Sequence, residues 1–248
     1  MNAAARLLLV FCAVWNFSSP SYAACDVTIT FNDVTVPPGP QNWLKQELKK
    51  AADKVCAWWG PSFSGPLTID ANNSAEAAMS LVPAWRGKSN YIIFPAPTVL
   101  QSNAATVHEM THIFAPNASR FLAEGLAVYA HDHLGGPPAF PNFGRPLHAA
   151  ARAYAQQADI AALDHLATPT MLQLGGQLAR KEAYLVGGSF VRFLIEQYGM
   201  EKFRRLYAMT PFVPGRRNAG DPGRWQEAYG VSLDQLAEEW RARLAQGR

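Results

Sequence analysis

A helix can carry imidazoles and carboxylates into an apolar core only if something there offsets their desolvation. Residues 107–130, VHEMTHIFAPNASRFLAEGLAVYA, pose that requirement twice over. His108 and His112 are four residues apart, so on a helix they stand one above the other on the same face. Their ring nitrogens can then converge on one cation at about 2.0–2.1 Å. Glu109 follows the first histidine directly and points about 100° round the helix. It is turned away from the ligand position but can reach a water molecule beside it. H-E-x-x-H therefore amounts to two ligands and a general base on one rigid element.

The third ligand decides between site types. A three-histidine site of the H-E-x-x-H-x-x-G-x-x-H pattern needs glycine and histidine where this chain has Ala115 and Ala118, so that pattern is excluded. Glu124 instead lies twelve residues beyond His112, in a second expected helix beside an apolar Phe-Leu pair. A carboxylate buried there without a partner would cost several kcal/mol, comparable with a domain's whole stability margin. Coordination to a cation offsets that cost. The competing reading, a structural histidine pair hydrogen-bonded in the core, leaves Glu124 unexplained. The expected ligand set for one Zn²⁺ is therefore His108, His112 and Glu124, with one coordination position open.

The rest of the chain supplies a frame for these helices. CDVTITFNDVTV alternates as a strand does, and residues 41–60 carry apolar side chains at helical spacing up to Gly60 and Pro61. GPLTIDA and SNYIIFP are expected as two further strands, with an ambiguous, partly irregular EAAMSLVPAWRGK between them. From Asn103 onward the pattern is mostly helical. Ser119 is placed to cap the second motif helix, and a Gly/Pro-rich loop, GGPPAFPNFGRP, borders a cleft. LHAAARAYAQQA, LGGQLARKEAYLVGGSFVRFLIEQYG and MEKFRRLYAM come next as helices, and a last helix opens on a Ser232/Gln235 capping box. The expected class is α+β, a small mixed sheet (25–100) followed by a mainly helical half (101–248), with the motif at the junction.

Residues 1–24 read as a signal peptide. Arg6 precedes an apolar run from Leu7 to Trp15, and small residues at Ala23 and Ala24 mark the cleavage site. The run is too short for a permanent membrane span. The expected location is the periplasm or the extracellular medium. Lipid attachment at Cys25 is the less favoured alternative, because Tyr22 stands where such signals carry an aliphatic residue. Cys12 would leave with the signal, and Cys25 and Cys56 would pair as a disulfide, the alternative being two free thiols. The net charge of +3 comes without any dense Lys/Arg run, which argues against nucleic-acid binding. His131 and His133 in HDH read as a solvated helix terminus.

HEMTHIF…RFLAEGLAVY resembles the HExxH…EG(L/F)A pattern of gluzincin metallopeptidases, in particular the short peptidase MA-like domains. EAYLVGGSFVRFLIEQYGMEKFRRLY and WQEAYGVSLDQLAEEWRARL resemble the segments that come after the zinc helices there, so the resemblance spans about Tyr91 to Leu244. It implies a zincin-like fold and hydrolysis of peptide bonds in a peptide or protein substrate. It matches His108, His112 and Glu124 to the zinc ligands and Glu109 to the general base. It also implies that Tyr184, in Tyr-Leu-Val-Gly, donates to the transition-state oxyanion, the alternative being a core aromatic. SNYIIFP would be the edge strand beside the cleft. The chain departs from the pattern at Val128, where thermolysin-like enzymes have an acidic residue that orients a ligand histidine, and Asp132 is the nearest acidic side chain. It also lacks the Gly-x-Met-Glu-Asn-type motif of aminopeptidases. Two other readings stand beside the peptidase: a zinc hydrolase of another amide, such as a cell-wall peptide, and a catalytically silent envelope-binding protein.

Overall fold

The computed structural model describes residues 25–81, 90–165, 180–213 and 219–247. The expected signal segment, the end of EAAMSLVPAWRGK, and the start of the long helix read from residue 174 lie outside these residues. Strand β1 (Val27–Val34) is the alternating N-terminal segment, and helix α1 (Pro38–Trp59) comes after it. Proline at the first helical position suits α1, because the N–H it lacks would have no helical partner. Leu44, Leu48, Ala51, Ala52, Val55 and Cys56 form its buried face. Cys56, near the end of α1, is bonded to Cys25 just before β1, with Cα atoms 6.2 Å apart and a sequence separation of 31. By the chain-entropy account such a loop closure contributes about 3–4 kcal/mol.

Strands β2 (Gly65–Asn72), β3 (Met79–Leu81) and β4 (Tyr91–Pro95) complete a four-stranded sheet of order β1-β2-β4-β3. β1, β2 and β4 run parallel, and β3 pairs antiparallel with β4, Ser80 opposite Ile92. This corrects one expectation. SNYIIFP is an interior strand, and the outer strand beside it is β3, which falls within the segment expected to be irregular. Four of the five residues of β4 are buried, consistent with cover on both sides. Three residues of β3 are too few to display an alternation. Beside β2, the register of β1 shifts between Phe31 and Val34. There Asn32 Nδ2, the Asp33 main-chain N–H and the Tyr91 hydroxyl all donate to Asp70 Oδ1, at 3.0, 2.8 and 2.6 Å.

Beyond the sheet come α2 (Ala96–Leu100), α3 (Thr106–Phe114) and α4 (Arg120–His133), with Ser119 accepting from the Leu122 N–H as the expected cap of α4. The remaining helices are α5 (Leu147–Ala151), α6 (Ile160–Asp164), α7 (Arg180–Tyr198), α8 (Met200–Ala208), α9 (Arg224–Tyr229) and α10 (Leu233–Ala245). The helix read through residue 158 stops at α5 and ends in one 3₁₀ turn, Arg152–Tyr154. Just past that turn, Arg241 of α10 donates to the carbonyls of Ala155 and Ala158. The Ser232/Gln235 capping box is formed. The chain is thus mixed α/β, mainly helical, with a small mixed sheet. Among the described residues no helix is long and apolar enough to cross a membrane.

Buried apolar side chains fall into two clusters. One joins α1, the sheet and α3, and the other joins α4 to α10. Trp58 and Trp59 pack against both. α4 meets α7 almost backbone to backbone, because glycines face the contact. A Cβ on Gly125 would lie 2.6 Å from Val191 Cγ2 and 2.8 Å from the Gly187 carbonyl oxygen. A Cβ on Gly188 would overlap Val128. The Gly187 main chain cannot yield as a flexible side chain would. Gly125→Ala is therefore expected to lower stability by about 1–3 kcal/mol, read as a shift in the urea unfolding midpoint. A loss below about 0.5 kcal/mol would mean that the two helices have room to spare.

Candidate metal centre

α3 and α4 bring together the three residues that spacing singled out. His108 Nε2 lies 3.2 Å from His112 Nε2, and Glu124 Oε2 lies 3.1 and 3.3 Å from the same two nitrogens. Ligand atoms at about 2.0–2.1 Å from a tetrahedral ion stand about 3.3 Å apart, so this triangle has the edge lengths of such a site. Among the described residues these three form the group that could hold a metal ion.

The donor chemistry points the same way. Glu124 is 1% exposed, and its Oε2 makes no hydrogen bond. Two other buried acidic groups, Asp164 and Asp70, are closed by protein donors. Asp164 receives Arg224 at 2.5 Å and Trp225 Nε1 at 2.8 Å, and Asp70 receives the three donors at the β1 register shift. Two imidazole nitrogens facing one carboxylate oxygen suit a shared cation, since each offers a lone pair when neutral. The residues present therefore fit a metal ion.

Arg120 completes the support of Glu124. One helical turn before it on α4, Arg120 pairs through Nη2 with Glu124 Oε1, leaving Oε2 to the histidines. Burial opposes ionisation of Glu124, but the Arg120 guanidinium and the two histidines outweigh it and hold the carboxyl well below its usual range. At His108 burial likewise favours the neutral ring, and Glu124 and Glu109 override it, so its pKa lies above the ordinary value. The Tyr184 ring stacks over His108, centroids 6.3 Å apart at 26°, and Phe140 from the Gly/Pro-rich loop makes an edge contact with it at 5.3 Å. Tyr184 thus belongs to the wall of the same site.

Glu109 is buried beside the histidines, with its carboxylate turned towards the sheet edge. Ser80 Oγ of β3 lies 2.7 Å from Glu109 Oε2 and 3.0 Å from its main-chain carbonyl. One hydroxyl fixes the carboxylate and ties α3 to the edge strand at that point. Sequence reasoning missed both Ser80 and Arg120. Arg120 had a signal, its i,i+4 spacing to a carboxylate inside an apolar helix. Ser80 had none.

The surroundings of the ligands differ from the thermolysin-like pattern. Val128 packs α4 against Gly188 and holds no histidine. Asp132 accepts from Asn142 Nδ2 at 2.8 Å and pairs with Arg192 at 3.5 Å, so it does not orient a ligand. Within HDH only His133 is exposed, and the expectation of a solvated terminus fails for His131, which is buried. The His131 ring donates from Nε2 to the Pro137 carbonyl at 2.7 Å and accepts at Nδ1 from the His108 main-chain N–H at 3.3 Å. That N–H lies in the first turn of α3, whose preceding residue, Ala105, has no capping side chain. His131 caps α3 from another helix and fastens the loop after α4. His165 is exposed at the end of α6, and the side chains of Asn72 and Asn117 are buried and hydrogen-bonded.

Burial lowers the His131 pKa to about 4, with smaller contributions from His108 and Lys54. Between about pH 6.5 and pH 4 the unfolded chain binds a proton that the folded one refuses. Stability from this group is therefore complete above that window and declines as pH falls through it, by up to about 3 kcal/mol. His131→Gln should remove that component from the pH dependence of urea unfolding of the metal-free protein. Parallel curves for both proteins from pH 7 to pH 4 would refute the assignment. No protein-family model, curated protein or solved structure matches the chain.

Proposed function

We propose that this protein is an exported zinc-dependent peptidase of the gluzincin type. The observation that carries the reading is the donor triangle of His108, His112 and Glu124 with Glu109 adjoining it on the same helix. A zinc ion bound there would act as Lewis acid on the scissile carbonyl and make a neighbouring water more acidic. His108, His112 and Glu124 are the residues that would hold it.

The chain's own groups perform the remaining work. Glu109 takes a proton from the attacking water as its oxygen bonds to the carbonyl carbon. It returns that proton to the amide nitrogen as the C–N bond breaks, so the base is regenerated. Ser80, at 2.7 Å, keeps the Glu109 carboxylate in one orientation. Tyr184 donates a hydrogen bond to the carbonyl oxygen as that oxygen gains charge. β3, the outer strand of the sheet among the described residues and beside Glu109, offers main-chain groups along which an extended peptide can lie. A catalytically silent binding protein would have no use for a buried, oriented carboxylate beside its ligands. The Cys25–Cys56 bond supports an oxidising compartment and hence export.

Glu109→Gln should keep stoichiometric zinc and lose about 10²–10⁴-fold in kcat on a mixed peptide library. Tyr184→Phe should keep zinc and lose about 10²–10³-fold. Glu124→Ala should lose zinc in a chelator competition. If the wild-type protein binds zinc yet cleaves no peptide that Glu109→Gln leaves intact, the peptidase reading is wrong.

A further inference from the structure

β3 is three residues long, and among the described residues its ladder has a neighbour on one side only, β4. A strand this short, held by one ladder, is weakly fixed in place. Its middle residue meets the general base. Ser80 Oγ lies 2.7 Å from Glu109 Oε2 and 3.0 Å from the Glu109 main-chain carbonyl oxygen. An oxygen within hydrogen-bond reach of both ends of one side chain restricts the rotamers that side chain can occupy. No other described residue hydrogen-bonds the Glu109 carboxylate. The aim of the base therefore depends on where β3 stands as well as on α3. Met79, next to Ser80, is 43% exposed, so the strand reaches solvent at this point. An extended peptide laid along it would supply a second ladder and hold it in place.

We propose that Ser80 is a positioning residue that converts pairing of an extended peptide with β3 into alignment of Glu109. The favoured substrates are peptides that run along the strand well beyond the cleaved bond. Their remote residues raise kcat and do not merely tighten binding, because interaction energy gained away from the reacting atoms goes into ordering the base. This proposal rests on the zinc-peptidase reading above.

The kinetic test takes wild type, Ser80→Ala and Ser80→Thr of the full chain, with zinc. The substrates are a peptide cleaved from the mixed library and the same peptide trimmed close to the cleaved bond. In wild type, trimming should lower kcat by about 10- to 10²-fold, the scale of loss that a misplaced catalytic group causes. Ser80→Ala should lose a similar factor in kcat on the full peptide with KM little changed. Trimming should then act on its KM and leave kcat almost as it was. Ser80→Thr keeps a hydroxyl on a residue suited to a strand, and should restore both kcat and its dependence on length. A serine that merely holds the fold would change kcat by the same factor on both peptides, and that result overturns the proposal. A loss confined to KM, or a Ser80→Thr enzyme as slow as Ser80→Ala, overturns it too. If Ser80→Ala fails to fold, Ser80→Cys, a weak donor of similar shape, is read in the same way.

Amide hydrogen exchange supplies a readout without turnover. In Glu109→Gln, the full peptide should slow exchange across Met79–Leu81 and the trimmed peptide should not. Exchange that neither peptide alters overturns the proposal. A wild type that cleaves nothing that Glu109→Gln leaves intact removes the peptidase reading and this proposal together. A wild type that cleaves both peptides with the same kcat removes this proposal alone.

Discussion

The centre of the molecule depends on one carboxylate that has been taken out of water. Glu124 sits on α4 with almost no exposure, and an ion in that position must be surrounded by compensating partners. Arg120 reaches one oxygen from the same helix, and the other oxygen faces the histidines of α3. α3 and α4 must therefore lie close together with matched faces. The next residue, Gly125, packs closely against Gly187 and Val191 of α7, so the element that carries Tyr184 lies at the same spot. Burial of a single charge thus fixes the mutual placement of three helices.

The parts of this arrangement that were legible in the sequence are those encoded locally. His108 and His112 declare a shared face by spacing alone, Ser119 and Ser232 declare helix starts, and Glu124 stands out as a carboxylate inside an apolar run. Cys25 and Cys56 were the expected pair once Cys12 was set aside, with two free thiols as the alternative, and the two are bonded. Ser80 was invisible because it reaches Glu109 from 29 residues away, on a strand of three residues. His131 looked like a polar helix end. Its burial depends on the loop that folds back to place the Pro137 carbonyl against it. The carbonyls past the break after α5 are met by Arg241, more than eighty residues further along. Each miss is a long-range contact made by a residue whose local context suggested something ordinary.

Polar groups elsewhere in the helical half show how this fold treats buried hydrogen-bonding capacity when no ligand is called for. Ser189 lies between His148 Nδ1 at 2.8 Å and Trp240 Nε1 at 3.0 Å, and so joins α5, α7 and α10. Asp164 joins α6 to α9 through Arg224 and Trp225. These networks tie neighbouring helices together with directional contacts. Against that background the paired histidines and the open oxygen of Glu124 are a different kind of construction, with their capacity converging on a point.

The two apolar clusters give this point a mechanical meaning. α3 belongs to the cluster built on the sheet, and α4 contributes mainly to the helical one. The donor triangle is therefore a gauge laid across the seam, with His108 and His112 on one bank and Glu124 on the other. Packed cores resist small continuous deformation, so a slip along the seam would register first as a change in the triangle's edges. Substitutions far from the site that disturb how the halves seat should accordingly be felt at its centre before either half loosens.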